Sequence, residues 1–228
     1  WFFPIITALI VLSILFWFGL KEQESLIKKG VDETILQRNL LVNIVAKNIE
    51  TILINTKNSS EHLASLLSLS FSSTISNKPD NFTSITNNFP DGSIRSKRDS
   101  YAPLSEAGIV LPKSFKLNNN IQSEIIKAKQ IIDTYGGNLT NESYVDAWYM
   151  PKSGGIIIYW PNQAAFIYEA KSDFSYVNTE WLIEPNFSDM SIETSYWTSL
   201  SLDPVSNIWM LSAVSPVFVN GDWVGSAG

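Results

Sequence analysis

The hydrophobic pattern at the start of the chain predicts a helix that spans a membrane. Residues 1–20 contain no charged side chain, and aromatic side chains stand near both ends of this stretch. About 20 helical residues, each rising about 1.5 Å, cross the roughly 30 Å of hydrocarbon in a bilayer, and aromatic side chains favour its interfaces. A cleaved signal peptide is the alternative, but this run exceeds a typical signal-peptide core, and no small-x-small cleavage site precedes Lys21. The sequence therefore favours a transmembrane helix over residues 1–20.

Residues 21–75 carry apolar side chains at helical spacing, which predicts one long stalk helix. Two partners for this apolar stripe remain open: the same helix of a second copy, which would form a homodimer, or the folded domain of the same chain. Gly30 and the polar cluster at residues 55–60 are the expected weak points, since glycine and short polar residues favour non-helical backbone. The stripe consists of Leu26, Ile27, Val31, Ile35, Val42, Val45, Ile49, Ile52, Leu53, Leu63, Leu66, Leu67 and Phe71.

The middle of the chain mixes strand and helix patterns. Apolar residues at steps of three and four predict a helix over residues 121–135, which Gly136 and Gly137 are expected to end. A turn signal leads into a short predicted strand at residues 93–95. Residues 173–183 are expected to form a second, short helix.

Two antiparallel ribbons are predicted in the second half of the chain. Residues 144–150 and 156–160 flank a glycine pair and are expected to form a hairpin. Residues 195–228 are predicted to form three short strands joined by two turns. The stronger of these turns is Asn220-Gly221, because both residues tolerate the positive φ of a two-residue hairpin turn. Taken together, residues 76–228 predict an α+β domain with helices to one side of an antiparallel sheet.

Composition narrows the classes of function. The chain has 22 acidic and 16 basic residues, for a formal charge of −6, which argues against a nucleic-acid partner because phosphate binding needs a basic surface. It contains no cysteine, which excludes disulfides and cysteine nucleophiles and fits an exported bacterial domain. His62 is the only histidine, so we expect no metal site, no cofactor and no enzymatic activity in these residues. Because Trp1 rather than methionine begins the chain, we expect a fragment of a longer protein.

Aromatic residues are concentrated in the second half of the chain, where six of the eight tryptophans lie after residue 147. A position in the core is the commoner outcome for any single one of them. As a set, with Asp146 and Asp203 nearby in sequence, they predict a small pocket with apolar walls and a few polar groups. The candidate ligand-binding residues are Trp148, Tyr159, Trp181, Tyr196, Trp197 and Asp203.

Several short blocks, in their order and spacing, resemble the extracytoplasmic Cache sensor domains of bacterial transmembrane receptors, which are PAS-like. The resemblance covers about residue 21 to the end and is most specific after Trp181. The blocks are DGSIR from Asp91, IIIYWP from Ile156, EW at Glu180, PN at Pro185, YWT from Tyr196, LDP from Leu202, WMLS from Trp209, SPVF from Ser215 and GDWVG from Gly221.

This resemblance implies a receptor in the inner (plasma) membrane whose outer domain binds a small molecule. The signal would pass to a cytoplasmic histidine kinase, diguanylate cyclase or chemotaxis module that lies outside these residues. It also implies that residues 76–228 are the membrane-distal module of a double-Cache receptor, truncated at the C terminus. The alternative is a structural or protein-interaction ectodomain that dimerises through the long helix and has no small-molecule ligand.

Double-Cache domains that bind amino acids hold the ligand with an Arg-x-Trp-Tyr block and a later Tyr-x-Asp block. Trp181 and Asp203 match these blocks. Thr179, Leu182 and Ser201 stand where the family has Arg, Tyr and Tyr. Without the arginine there is no bidentate donor for a carboxylate, so the sequence argues against an amino-acid ligand. It leaves Asp203 able to face a cationic or hydroxylated one.

Overall fold

The chain is represented by a computed structural model that describes residues 2–73, 82–139, 144–177, 179–184, 195–203 and 206–228. For residues 2–10 and residue 139 it describes the backbone alone. The chain divides into two compact units, Trp1–Ile52 and Leu53–Gly228. Each unit is described by itself below.

The first unit consists of the N-terminal part of one long helix, α1 (Phe2–Ser72). The helix continues through both predicted weak points, Gly30 and residues 55–60. Beside Gly30, the Thr34 hydroxyl donates a hydrogen bond to the Gly30 carbonyl oxygen at 2.8 Å. The large apolar side chains described between Val11 and Ile52 are mostly exposed. This unit therefore presents apolar side chains to its surroundings along its described length.

Within the described part of the chain, no helix combines the length and the apolar character needed to cross a membrane. The side chains of residues 1–10, half of the segment predicted to span the bilayer, lie outside that part.

The second unit is built on a sheet. In its described residues, eight strands follow the order β1-β2-β3-β5-β4-β10-β9-β6, each pair antiparallel, and β7 pairs with β8 separately. The α+β prediction with an antiparallel sheet and a long N-terminal helix is confirmed. The strands are β1 (Thr86–Asn88), β2 (Ile94–Ser96), β3 (Gly108–Leu111), β4 (Ala147–Pro151), β5 (Ile156–Tyr159), β6 (Tyr196–Trp197), β7 (Ser201–Leu202), β8 (Trp209–Met210), β9 (Ala213–Val219) and β10 (Asp222–Ala227).

The two faces of this sheet pack against different layers. On one face, α2 (Phe82–Ile85), α3 (Asn119–Leu139) and the last turns of α1 pack against alternate residues of the central strands, such as Tyr149 and Ile157. The intervening residues of the same strands belong to a second apolar cluster on the other face. Because side chains alternate along a strand, the central strands are buried on both sides. We call the two sides the helix face and the cavity face.

Helix α3 differs from its prediction at one end. It continues through Gly136 and Gly137 to Leu139, so the predicted glycine stop was wrong. A Cβ atom at Gly136 would lie 2.8 Å from the Tyr159 ring. Gly136 therefore does not end the helix, and its missing side chain allows the helix to approach β5 closely.

Residues 173–183 do not form the predicted helix in their described part, which omits residue 178. They make turns, in which the Thr179 hydroxyl donates to the Tyr176 carbonyl oxygen at 2.7 Å. Tyr176 and Leu182 are buried in the cluster on the cavity face, so packing onto the sheet outweighs helix formation here. A short helix, α4 (Phe166–Glu169), lies earlier in the chain instead.

Both predicted ribbons are present. β4 and β5 pair as the expected hairpin. β9 and β10 pair around Asn220 and Gly221, which both have positive φ, 52° and 89°. In the described part of residues 195–228 there are five strands where three were predicted, because breaks in pairing separate β6 from β7 and β8 from β9.

Candidate functional site

A cavity of about 460 Å³ opens on the cavity face of the second unit. Its floor is formed by β4 and β5, and its opposite wall by α4 and the turns that follow it. The β7–β8 ribbon and Asp203 close one side. The described lining residues are Asp146, Trp148, Met150, Ile156, Ile158, Trp160, Phe166, Glu169, Ala170, Lys171, Phe174, Tyr176, Trp181, Ser201, Asp203, Met210 and Ser212.

Strand alternation supplies the floor of this cavity. Trp148 and Met150 point to the cavity face from β4, and Ile156 and Ile158 do so from β5. Their neighbours in sequence, such as Tyr149, point to the helix face. Alternation therefore fixes four lining residues from two strands.

Arg95 fixes the opposite wall. This side chain on β2 is 2% exposed, and its guanidinium donates to the carbonyl oxygens of Ile167 at 2.6 Å and Ala170 at 2.7 Å. It also contacts Asp91 at 3.0 Å and Ser93 at 2.7 Å. The Asp91 carboxylate accepts from Ser93, and these hydrogen bonds together with Arg95 lower the pKa of Asp91. Arg95 thus ties α4, which carries Phe166, to the sheet.

Two of the carboxyl groups that line the cavity belong to Asp146 and Asp203. Asp203 Oδ1 accepts two hydrogen bonds from Ser206, one from the Ser206 backbone nitrogen at 2.6 Å and one from the Ser206 hydroxyl at 2.9 Å. Asp146 accepts no hydrogen bond from a residue that the structure describes. Burial, and then the charge of Asp203, raise the pKa of Asp146 to about 7. The cavity reaches this carboxyl, so it stays partly accessible although protein surrounds it closely.

The mouth of the cavity carries charges of both signs. Glu169 and Lys171 line it and are solvent-exposed. Among the described lining residues, three carboxyl groups therefore accompany one ammonium group. The surroundings of the cavity are negative on balance.

The structure places the six candidate residues in two groups. Trp148, Trp181 and Asp203 lie together on the cavity wall. Tyr159 lies on the helix face, where its hydroxyl donates to the Leu104 carbonyl oxygen at 2.8 Å. Tyr196 donates to the Glu180 carbonyl oxygen at 2.9 Å. Neither Tyr196 nor Trp197 is among the described lining residues.

Sequence reasoning missed part of the wall. Trp160 follows β5 on the same face as Ile158, so strand alternation could have assigned it. Phe166, Phe174 and Tyr176 come from a short helix and turns that no periodic pattern predicts. Their place in the cavity depends on the tertiary packing of that segment.

A buried hydroxyl cluster links the sheet to the end of α1. The Ser215 hydroxyl on β9 lies 2.7 Å from that of Ser60 on α1 and 2.6 Å from that of Ser195. Ser215 faces the helix side, and its neighbour Val214 belongs to the cluster on the cavity face. Strand β9 therefore contacts both the helix layer and the cavity layer.

A second polar contact joins the sheet to α3. The Tyr149 hydroxyl donates to Glu124 at 2.7 Å, and burial raises the pKa of Glu124 to about 7. His62, the single histidine, packs edge-on to Tyr135. In the described part of the chain, no group of three or more histidine or acidic residues is placed to hold a metal ion.

Comparison of the chain with known protein families, curated proteins and solved structures found no match.

Proposed function

We propose that this chain is the extracytoplasmic ligand-sensing portion of a bacterial membrane receptor of the Cache type, and that it binds a small molecule in the cavity beside Trp148. Its main domain lies outside the cytoplasm, and a kinase, cyclase or chemotaxis module elsewhere in the receptor produces the output. The observation that carries the proposal is the preformed cavity itself. A volume of about 460 Å³ falls within the range of small-molecule sites, which are mostly apolar with few polar groups.

The position of the cavity supports a sensing role. It lies on one face of the sheet, and the end of α1 packs on the other face of the same strands. A ligand that displaces Met210 or Ser212 would pull on the start of β9, which is hydrogen-bonded to α1 through Ser215 and Ser60. Within the second unit, the arrangement therefore couples a ligand in the cavity to the last turns of α1. The uncharged sequence of residues 1–20 separately supports a membrane anchor.

Ligand binding in the cavity is tested by truncating one side chain of the cavity floor. We expect small molecules to raise the melting temperature of the 228-residue chain, kept in detergent micelles, because a ligand that binds only the folded state stabilises it. Trp148→Ala should abolish that shift, since it removes the largest ring of the floor. The matched control is Trp209→Ala, because Trp209 is 66% exposed and lies outside the described cavity lining.

Two results would contradict the ligand-binding proposal. One is a broad metabolite screen in which the folded chain is stabilised by nothing. The other is a shift that survives Trp148→Ala and disappears in Trp209→Ala. The first result would favour the alternative function, an ectodomain without a small-molecule ligand.

We also propose that two copies of the chain associate through the first unit. Between residues 31 and 52, exposed apolar side chains recur at alternating steps of four and three, interrupted only by Arg38. This is the spacing of a coiled-coil seam, which buries its apolar positions against an identical helix. The partner that such a seam fits is a second copy of this chain. The seam consists of Val31, Ile35, Val42, Val45, Ile49 and Ile52.

Cross-linking tests the homodimer, because the chain contains no cysteine of its own. Val45→Cys places a thiol in the seam, where two copies bring equivalent residues within disulfide range. We expect oxidation to produce a covalent dimer of this variant in membranes. The control is Leu40→Cys, a position 61% exposed on the far side of the helix. Equal cross-linking of the two variants, or none at Val45, would refute the seam.

A further inference from the structure

We propose that the ligand is a small organic cation, held with its positive group beside the carboxylates of Asp146 and Asp203 and its apolar body among the aromatic rings of the cavity. This inference rests on the proposed sensing function and names its ligand class. It follows from three features of the cavity: its charge, its walls and its volume.

The carboxyl groups that line the cavity favour a positively charged ligand. Asp146 is partly buried and accepts no hydrogen bond from a described residue, although withdrawing a carboxylate from water is costly unless it is paired. The ammonium group of Lys171 also lines the cavity, but it is exposed at the mouth. A ligand cation beside Asp146 and Asp203 would offset both the burial of Asp146 and the repulsion between the two carboxylates.

The walls favour an organic cation over a metal ion. Aromatic rings attract organic cations through their negative faces, and this attraction is strongest where water is excluded. Hard metal ions instead take six or more oxygen ligands, and the described residues offer no cluster of three potential ligands. The aromatic lining residues are Trp148, Trp160, Phe166, Phe174, Tyr176 and Trp181.

The ionisation of Asp146 gives the proposal a pH signature. The pKa of this carboxyl is raised to about 7, first by burial and then by Asp203. The other charged or titratable groups among the described lining residues are Asp203, Glu169, Lys171 and Tyr176. A permanent cation prefers the ionised form of Asp146, so its binding releases a proton below pH 7. Affinity should rise as the pH increases through the range below 7 and level off above it.

The test compares cations with neutral molecules of the same shape. The probes are choline and its neutral isostere 3,3-dimethylbutan-1-ol, and 2-phenylethylamine and its neutral counterpart 2-phenylethanol. Binding to the full chain in detergent micelles is measured by calorimetry at pH 8. We expect at least one cation to bind about tenfold more tightly than its neutral partner, the contribution of a desolvated cation–π and charge contact.

A charge-neutralising variant separates a binding role of Asp146 from a structural one. Asp146→Asn should weaken cation binding about tenfold at pH 8 and should flatten the pH dependence of choline affinity between pH 5 and 8. A merely structural role would not alter the shape of that profile. The matched control is Asp222→Asn, which removes an exposed carboxylate outside the described lining. It should leave both the affinity and the profile unchanged.

The outcomes distinguish this inference from the proposed function. Cation-selective binding that depends on Asp146 supports both. A neutral or anionic compound from a wider screen could bind instead, with binding lost in Trp148→Ala. That result would refute the cationic ligand and would still support the proposed sensing function. Stabilisation by Ca²⁺ or Mg²⁺ alone would also refute the organic cation. Absence of binding by every probe and every screened compound counts against both proposals.

Discussion

Arg95→Met should lower the free energy of unfolding of the second unit by about 3 kcal/mol or more, a large fraction of the stability of a typical domain. Arg95 is 2% exposed, and its guanidinium satisfies the carbonyl oxygens of Ile167 and Ala170. Methionine keeps much of the apolar stem but removes every donor. Each buried carbonyl group left without a partner costs about 1–3 kcal/mol.

The ion pair between Arg95 and Asp91 adds less to this effect. Asp91 is 44% exposed, so water screens its attraction to the guanidinium. The hydrogen bonds to the two backbone carbonyl groups account for most of the loss, because in the described residues no other hydrogen bond joins β2 to α4 and its C-terminal end. The same substitution should weaken ligand binding, since α4 holds one wall of the cavity.

Urea unfolding followed by tryptophan fluorescence measures the change, since six of the eight tryptophans lie after residue 147. The matched control is Arg98→Met. Arg98 is exposed and its guanidinium lies 4.2 Å from the centre of the Tyr168 ring, so this variant should lose about 1 kcal/mol or less. Equal losses in the two variants would show that the buried hydrogen bonds of Arg95 do not stabilise α4.

Local signals in the sequence account for the elements that agree with prediction. The β9–β10 hairpin needs positive φ at two successive residues, and Asn220-Gly221 is one of the few pairs that supply it readily. The β4–β5 hairpin depends on a similar glycine turn, where Gly154 has a φ of 93°. Such signals act within a few residues and do not depend on the rest of the fold.

The elements that differ from prediction depend on distant contacts. Gly136 lies in a helix instead of ending one, because the Tyr159 ring of another element occupies the space of its missing side chain. In their described part, residues 173–183 form turns instead of the expected helix, because their aromatic side chains pack onto the sheet. Neither fact can be obtained from spacing along the chain.

In the candidate site, too, some features follow from local sequence patterns and others depend on distant contacts. Alternation along β4 and β5 could place Trp148 in the cavity and exclude Tyr159, because these two residues occupy opposite faces. It could not bring Asp203 near Asp146, since 56 residues separate them and the approach depends on how the β7–β8 ribbon folds over the sheet. The carboxyl pair is therefore a property of the tertiary structure.

Gly225→Ala should destabilise the second unit by about 2–3 kcal/mol, although it adds one methyl group. Gly225 lies on β10 beside a register shift, opposite Pro151 on β4. An added Cβ would collide with the backbone carbonyl oxygen of Met150 and would lie 2.7 Å from the Tyr149 hydroxyl. A carbonyl within a paired strand cannot move aside alone, so β10 and β4 would have to separate locally.

Gly221→Ala provides the matched control for this effect. Its added Cβ meets no atom within 4 Å, and its only strain comes from a φ of 89°, so it should cost about 1 kcal/mol. The two variants are compared by urea unfolding and by affinity for any cavity ligand. Since Met150 lines the cavity, Gly225→Ala alone should also weaken binding. A Gly225→Ala protein as stable as the parent would contradict this prediction, because it would mean that β4 and β10 can separate at this point without cost.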